Sequence, residues 1–206
     1  MYNDSREIAR GESALFDVCA EVLLNEPSTR VLGDIQQVAH ALGDSRFDRF
    51  EESDALVQRY YDRLFVTDRP VFVPLSENCM RGFCMTDAGP QYGALEGSAS
   101  DHVIACYHAV GFDWHRLSGF QSALDILRAD SLASECAFVA FLKSQEACAE
   151  TDEQVAHIAD LADEFIARHL GEWARTAAHC AARSDEDLYA TLCAFVADAL
   201  EALQIR

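Results

Sequence analysis

The sequence predicts an all-α fold: a single-domain helical bundle of about eight or more helices over residues 1–206, with a long irregular loop around residues 69–97. Two observations carry this expectation. Apolar residues recur at intervals of three and four along almost the whole chain, and no convincing run of strict alternation bounded by turn signals occurs. Half the residues are apolar and a quarter charged, with four prolines and no low-complexity tract, which is the composition of a chain that buries a core. The length gives no reason to divide it.

The elements follow in order. A first helix is predicted over Ser5 to Asn25, with Leu15, Val18, Cys19, Val22 and Leu23 on one face and Pro27 unable to continue it. A second covers Thr29 to Leu42 and stops at Gly43. Ser53 is placed to cap a third, on which Val57, Tyr60, Tyr61, Leu64 and Phe65 form a stripe, before Pro70 and Pro74 impose an extended connection. The segment from there to Gly97 is the least regular, and two readings of it stand, a binding element and a structural connector. Helices resume from Ser98 to Phe112, with Ser98 as cap and Asp101 reaching back to it, then from Ser118 to Arg128 and from Asp130 to Ala149, where Asp130 suits an N-cap. T-D-E-Q at Thr151 fits a capping box and opens a helix running through Val155, Ile158, Ala162, Phe165, His169 and Trp173. S-D-E-D at Ser184 fits the same device and opens the last, with Leu188, Leu192, Phe195, Val196, Ala199 and Leu203 facing inward.

The formal net charge is −19. Such a surface repels DNA, RNA and anionic lipid, which argues against a nucleic-acid partner. The same field attracts cationic partners such as basic peptides, and acidity is also a solubility device; charge alone favours neither. The opening MYNDSREIARGESALF lacks the basic start and apolar block of an export signal. No apolar run approaches the roughly 20 residues of a spanning helix, so a cytoplasmic location without membrane insertion is expected. Of the eight cysteines, Cys19, Cys106, Cys136, Cys148, Cys180 and Cys193 sit singly in helical patterns, where cysteine behaves as a small buried apolar residue; all are expected to be reduced.

The stretch SASDHVIACYHAVGF concentrates chemistry-bearing residues. On a helix His102 and Cys106 share a face while His108 points away, so at most two of these three reach one ion. No nearby CxxC, HExxH or HxH cluster supplies the further ligands that zinc needs, and the spacing of Cys79 and Cys84 is too loose to indicate a metal or redox pair. No metal and no cofactor is expected. His169 and Trp173 fall on an apolar stripe, where a packed core histidine is the simpler reading. No phosphate-cradling loop, nucleophile elbow or catalytic carboxylate pair occurs.

Four segments are informative as a set: Y-Y-D-R-L-F (Tyr60 to Phe65), V-F-V-P-L-S-E-N (Val71 to Asn78), D-S-L-A-S-E-C-A-F-V-A-F-L (Asp130 to Leu142) and F-I-A-R-H-L-G-E-W (Phe165 to Trp173). Their order and spacing resemble the TorD-like family of redox-enzyme maturation chaperones, which includes the DmsD and NarJ types. The first looks like the family's Tyr-x-x-Leu-Phe element and the second like its Val-Pro-x-x-Glu-Ser segment, with Asn78 in place of the serine. The fourth is similar to its His-Leu-x-x-Trp helix. The family's Asp-His motif, followed by Glu-Leu-x-Phe-Met, fits Asp130 with Glu135, Cys136, Phe138 and Val139 better than it fits Asp101-His102, which C-Y-H-A-V-G-F follows. In that register Ser131 stands where the motif histidine would be.

The resemblance implies a cytoplasmic chaperone, not an enzyme. Such a protein binds the twin-arginine signal peptide, or the apo form, of a molybdenum or iron–sulfur oxidoreductase subunit until cofactor insertion is complete, and acts as a monomer or homodimer. A twin-arginine signal joins a basic segment to an apolar one, which suits an acidic surface beside an apolar groove. The groove is expected where the irregular loop meets the helix starting at Asp130, with Leu64, Phe65, Pro74 and Leu75 as apolar contacts and Glu77, Asp130 and Glu135 as acidic ones, beside Ser131. Leu64 and Phe65 as plain core, Glu77 as a loop-fixing acceptor and Glu135 as a buried partner of a neighbouring helix remain open readings. Two other functions stay open: a metal- or nucleotide-dependent helical enzyme or sensor using His102, Cys106 and the loop cysteines, and a helical interaction module with a changed client.

Overall fold

The computed structural model describes residues 2–204. Its helices are α1 (Tyr2–Leu24), α2 (Thr29–Ala41), α3 (Asp54–Leu64), α4 (Glu77–Arg81), α5 (Ser98–Val110), α6 (Gln121–Asp125), α7 (Leu132–Cys148), α8 (Asp152–Arg168), α9 (Leu170–Ser184) and α10 (Leu188–Gln204). A hairpin of β1 (Cys84–Thr86) and β2 (Gly89–Gln91) pairs Cys84 with Gln91 and Thr86 with Gly89 in antiparallel register. The fold is all-α, as expected.

α7 is the axis. Thirteen of its 17 residues are buried, and only Phe141, Ser144, Gln145 and Cys148 in its second half reach the surface, so it belongs at the centre of a bundle. α1 lies along it, and alanines 133, 137 and 140 keep the contacting surface low. Ser13 Oγ donates to the Ala140 carbonyl at 2.9 Å across that seam, and Lys143 sits between Glu12 and Glu146 at 3.1 and 3.0 Å. α8 packs on another side of α7, and α9 and α10 form an antiparallel pair that closes onto α1. Core residues run without interruption from Leu15 in α1 to Leu200 in α10.

Several boundaries differ from the sequence reading, each for a physical reason. Ser53 and Thr151 cap α3 and α8 as expected, with Thr151 and Gln154 forming the full capping box. Ser98, in contrast, is already inside α5, whose N-cap is Gly97, and Asp101 is exposed without reaching back. Ser131, not Asp130, caps α7, accepting from the Ser134 N–H at 3.1 Å, because Asp130 is drawn inward by other partners. α10 starts at Leu188 because Asp187 accepts from the N–H groups of Tyr189 and Ala190, both at 3.0 Å, while Ser184 ends α9. The long helix expected from Thr151 to Trp173 breaks at His169, whose ψ of −98° is not helical.

The irregular segment holds more structure than expected, namely α4 and the hairpin. It closes around Asn78. A Cβ on Gly93 would collide with the Asn78 carbonyl oxygen, so only glycine permits that approach, and one on Gly97 would press on the Asn78 side-chain amide at 2.6 Å. The eight cysteines are free thiols; Cys84 and Cys148 are exposed and Cys106 is half-buried, which corrects the expectation that the helical cysteines are all interior.

Candidate functional site

The four segments that carried the family resemblance converge. The strap Pro74–Glu77 pairs with the entrance to α7: the Glu77 N–H donates to the Asp130 carbonyl at 2.8 Å, the Leu132 N–H donates to the Leu75 carbonyl at 3.0 Å, and Ser76 and Ser131 form an antiparallel bridge. This strap divides the region in two, with an apolar groove on one side and buried carboxylates on the other.

The groove has a volume of about 470 Å³. Leu64 and Phe65 from the end of α3, Pro74 and Leu75 from the strap, and Ser131 and Leu132 from the start of α7 line it, with Ile126 and Leu95 on its rim. The structure thus brings together Leu64, Phe65, Pro74, Leu75 and Ser131. Ile126 and Leu95 are 56 % and 57 % exposed, among the few large apolar side chains that face solvent. Arg128 spans the wall, its guanidinium donating to the Leu95 carbonyl and, through Nε at 3.3 Å, to Asp130 Oδ1. Ser76 also lines the groove, and its Oγ is buried without a hydrogen-bond partner. It was missed because a serine in a loop carries no sequence signal of burial.

Glu77, Asp130 and Glu135 do not face the groove. Each is fully buried, so each answers to internal partners, as the reading of Glu77 as a loop-fixing acceptor and Glu135 as a helix partner allowed. Asp130 Oδ2 accepts from the Asn78 backbone and side chain at 3.3 and 3.0 Å, and Asn78 Nδ2 also reaches Ser100 Oγ at 2.6 Å. Glu77 Oε1 accepts from Arg81 Nε at 2.6 Å, and its Oε2 meets His169 Nδ1 at 2.8 Å. Glu135 Oε2 accepts from Trp173 Nε1 at 3.0 Å. Its Oε1 is buried without a donor and faces Glu77, an arrangement that a proton on Glu135 satisfies. Burial first, and then the charges of Glu77 and Asp130, push the Glu135 carboxyl well above the ordinary glutamate range.

His169 is more than a packed core residue. Its Nε2 lies 2.6 Å from Nδ1 of His102, whose ring stacks on it, and Cys106 stands one turn along α5. Among the described residues these three form the one histidine, cysteine and carboxylate group whose donor atoms gather closely enough to hold a metal ion. Sequence spacing hid it, because 67 residues separate His102 from His169. His108 is exposed and takes no part.

No helix among the described residues is long and apolar enough to cross a membrane. No curated protein matches the chain. A solved structure from Archaeoglobus fulgidus, provisionally described as a redox enzyme maturation protein, is similar in fold: it shares 16 % identity over 93 % of each chain, with a TM-score of 0.56. The sequence matches the nitrate reductase delta subunit family over residues 25–179, a stretch that contains the strap, the entrance to α7 and the His169–Trp173 turn. The chain therefore belongs to the nitrate reductase delta subunit family, the family of NarJ- and TorD-type chaperones.

Proposed function

We propose that this protein is a cytoplasmic maturation chaperone for a molybdenum or iron–sulfur oxidoreductase subunit, and that it binds the twin-arginine signal peptide of that subunit in the groove between α3, the strap and α7. It acts by binding and does not catalyse a reaction. The observation that carries this reading is the groove itself. An apolar channel with Ile126 and Leu95 exposed on its rim is costly to leave in water, and it matches the apolar stretch of a signal peptide. The arginine pair beside that stretch is attracted by a chain of net charge −19, on which the exposed Asp68, Glu96 and Asp125 neighbour groove residues in sequence.

In this reading Leu64, Phe65, Pro74 and Leu75 contact the client, and the half-buried Ser131 adds a polar point on the groove wall. Asp130, Glu77 and Glu135 hold the strap and α7 in place from behind. Titration of the protein with a labelled twin-arginine peptide, alongside its Arg-Arg to Ala-Ala variant, tests the proposal by fluorescence anisotropy. The expected result is saturable binding that weakens at least about tenfold without the arginines, equivalent to about 1.4 kcal/mol, and weakens similarly in Leu75→Asp. Equal affinity for both peptides, or none for either, overturns it.

A further inference from the structure

On the face of the molecule where α5 meets the break between α8 and α9, His102, Cys106 and His169 place their donor atoms within 4.8 Å of one another. We propose that these three side chains form a binding site for a divalent transition-metal ion of the zinc class. The donor set is two imidazoles and a thiol, which suits zinc, cobalt or copper and not the oxygen-seeking magnesium or calcium.

The site is built from inside outward. His169 is 3 % exposed, and its Nδ1 is fixed by Glu77 Oε2 at 2.8 Å. Glu77 is itself fully buried and held by Arg81. A carboxylate behind one ring nitrogen sets the tautomer and turns the other nitrogen outward as a ligand, the arrangement that supports metal-binding histidines. Phe165 stacks on the same ring with centroids 4.9 Å apart, so its orientation is fixed from two sides. Nε2 of His169 then faces α5, where His102 and Cys106 lie one turn apart with Nδ1 and Sγ separated by 3.9 Å.

The two histidine nitrogens are 2.6 Å apart, a hydrogen-bond distance. Two nitrogens on one tetrahedral zinc stand about 3.3 Å apart, so His102 must move by less than about 1 Å. It is free to do so, being exposed on α5. On binding, the His102 proton moves from Nδ1 to the solvent-facing Nε2, so both rings ligate as neutral imidazoles, and the proton of the Cys106 thiol leaves to solvent. A cavity of about 160 Å³, lined by the three residues with Glu164 and Arg168, leaves a fourth position for water. The ion would tie α5 to the α8–α9 break.

The test uses the full chain, stripped with chelator and titrated with Zn²⁺ against a competing indicator, and separately with Co²⁺ by absorption spectroscopy. One equivalent of each should bind, with a thiolate-to-cobalt charge-transfer band. His102→Ala and Cys106→Ser, at exposed and half-buried positions where the fold tolerates change, should each weaken binding by more than the about 10- to 100-fold typical of losing an outer-sphere partner. Cys106→Ser should abolish the charge-transfer band. The double variant Cys84→Ser, Cys148→Ser, which removes the exposed thiols, should leave both signals intact. No stoichiometric binding, affinity unchanged in both site variants, or loss of the signal in the exposed-thiol variant would each overturn the site. Peptide binding does not enter any of these measurements, so the two proposals stand or fall separately.

Discussion

Glu135 is a carboxyl enclosed at the centre of the bundle, with Trp173 on one oxygen and Glu77 against the other. The folded chain keeps its proton to a higher pH than the unfolded chain does, because burial and the neighbouring carboxylates disfavour the charged form. Below the ordinary glutamate range both states are protonated and the group is neutral in the balance. As pH rises from that range toward the raised folded value, the unfolded chain releases the proton first, so the group costs stability. Glu135→Gln keeps an acceptor for Trp173 and places a permanent N–H toward Glu77. Urea midpoints across a pH series should match for the two proteins in acid and diverge in favour of the variant as pH rises; a pH-independent difference would mean that Glu135 releases its proton in the folded chain as it does in the unfolded one. Glu135, Glu77 and Asp130 were expected as acidic groove contacts, with a loop-fixing role for Glu77 and a buried helix partner for Glu135 as the open alternatives, and their burial and partners follow those alternatives. Arg81 and Arg128 are local partners of Glu77 and Asp130, but Trp173, His169 and Asn78, which enclose Glu135, Glu77 and Asp130, lie 38, 92 and 52 residues away, beyond the reach of local spacing. Leu64, Phe65, Pro74 and Leu75 could be placed together because an apolar stripe runs to the end of α3 and the prolines after it impose an extended strap, and both need cover.

Helix starts that depend on their own sequence were legible, and those that depend on distant partners were not. Ser53 and Thr151 cap α3 and α8 through bonds three residues away, which spacing reveals. Asp187 replaces Ser184 as the start of α10 because buried Arg63 of α3, 124 residues earlier, grips its Oδ2 at 2.8 and 3.0 Å and fixes it there. The break at His169 likewise has its cause in tertiary structure, since the ring is held by Glu77 and by the stack on Phe165. Ser131 sits between the two cases. It is a local cap for α7 and also part of the groove wall, whereas Thr151 is a cap alone. Ser131→Ala and Thr151→Ala should each lower stability by about 1 kcal/mol, read from chemical denaturation. Only the first should also change peptide affinity in the anisotropy titration. An effect of Thr151→Ala on affinity equal to that of Ser131→Ala would show that binding follows global stability, not the groove wall.

At the scale of the molecule, the two ends of the chain contribute to one core. α1 packs along α7, α10 closes on α9 and α1, and Arg63 joins α3 to the start of α10. Apolar contacts run from Leu15 to Leu200 without a gap at which the chain divides, which supports the proposal that residues 1–206 are one domain. The two tryptophans report on different parts of this core: Trp173 is fully buried in α9, and Trp114 packs beside Tyr107 on the turn after α5. If the chain is one cooperative unit, far-ultraviolet ellipticity and tryptophan fluorescence should follow the same urea curve, with one midpoint and one slope. Replacing Trp114 by Phe leaves Trp173 as the sole reporter and should leave the midpoint by fluorescence equal to that by ellipticity. A fluorescence transition displaced from the ellipticity curve in either protein would mean that α5 and the loop around Asn78 unfold apart from the α1–α7–α9–α10 body, and the single-domain proposal would fail. Coincident curves also set what a client peptide can do, because a ligand bound only to the folded state of a single cooperative unit raises the midpoint for both probes together.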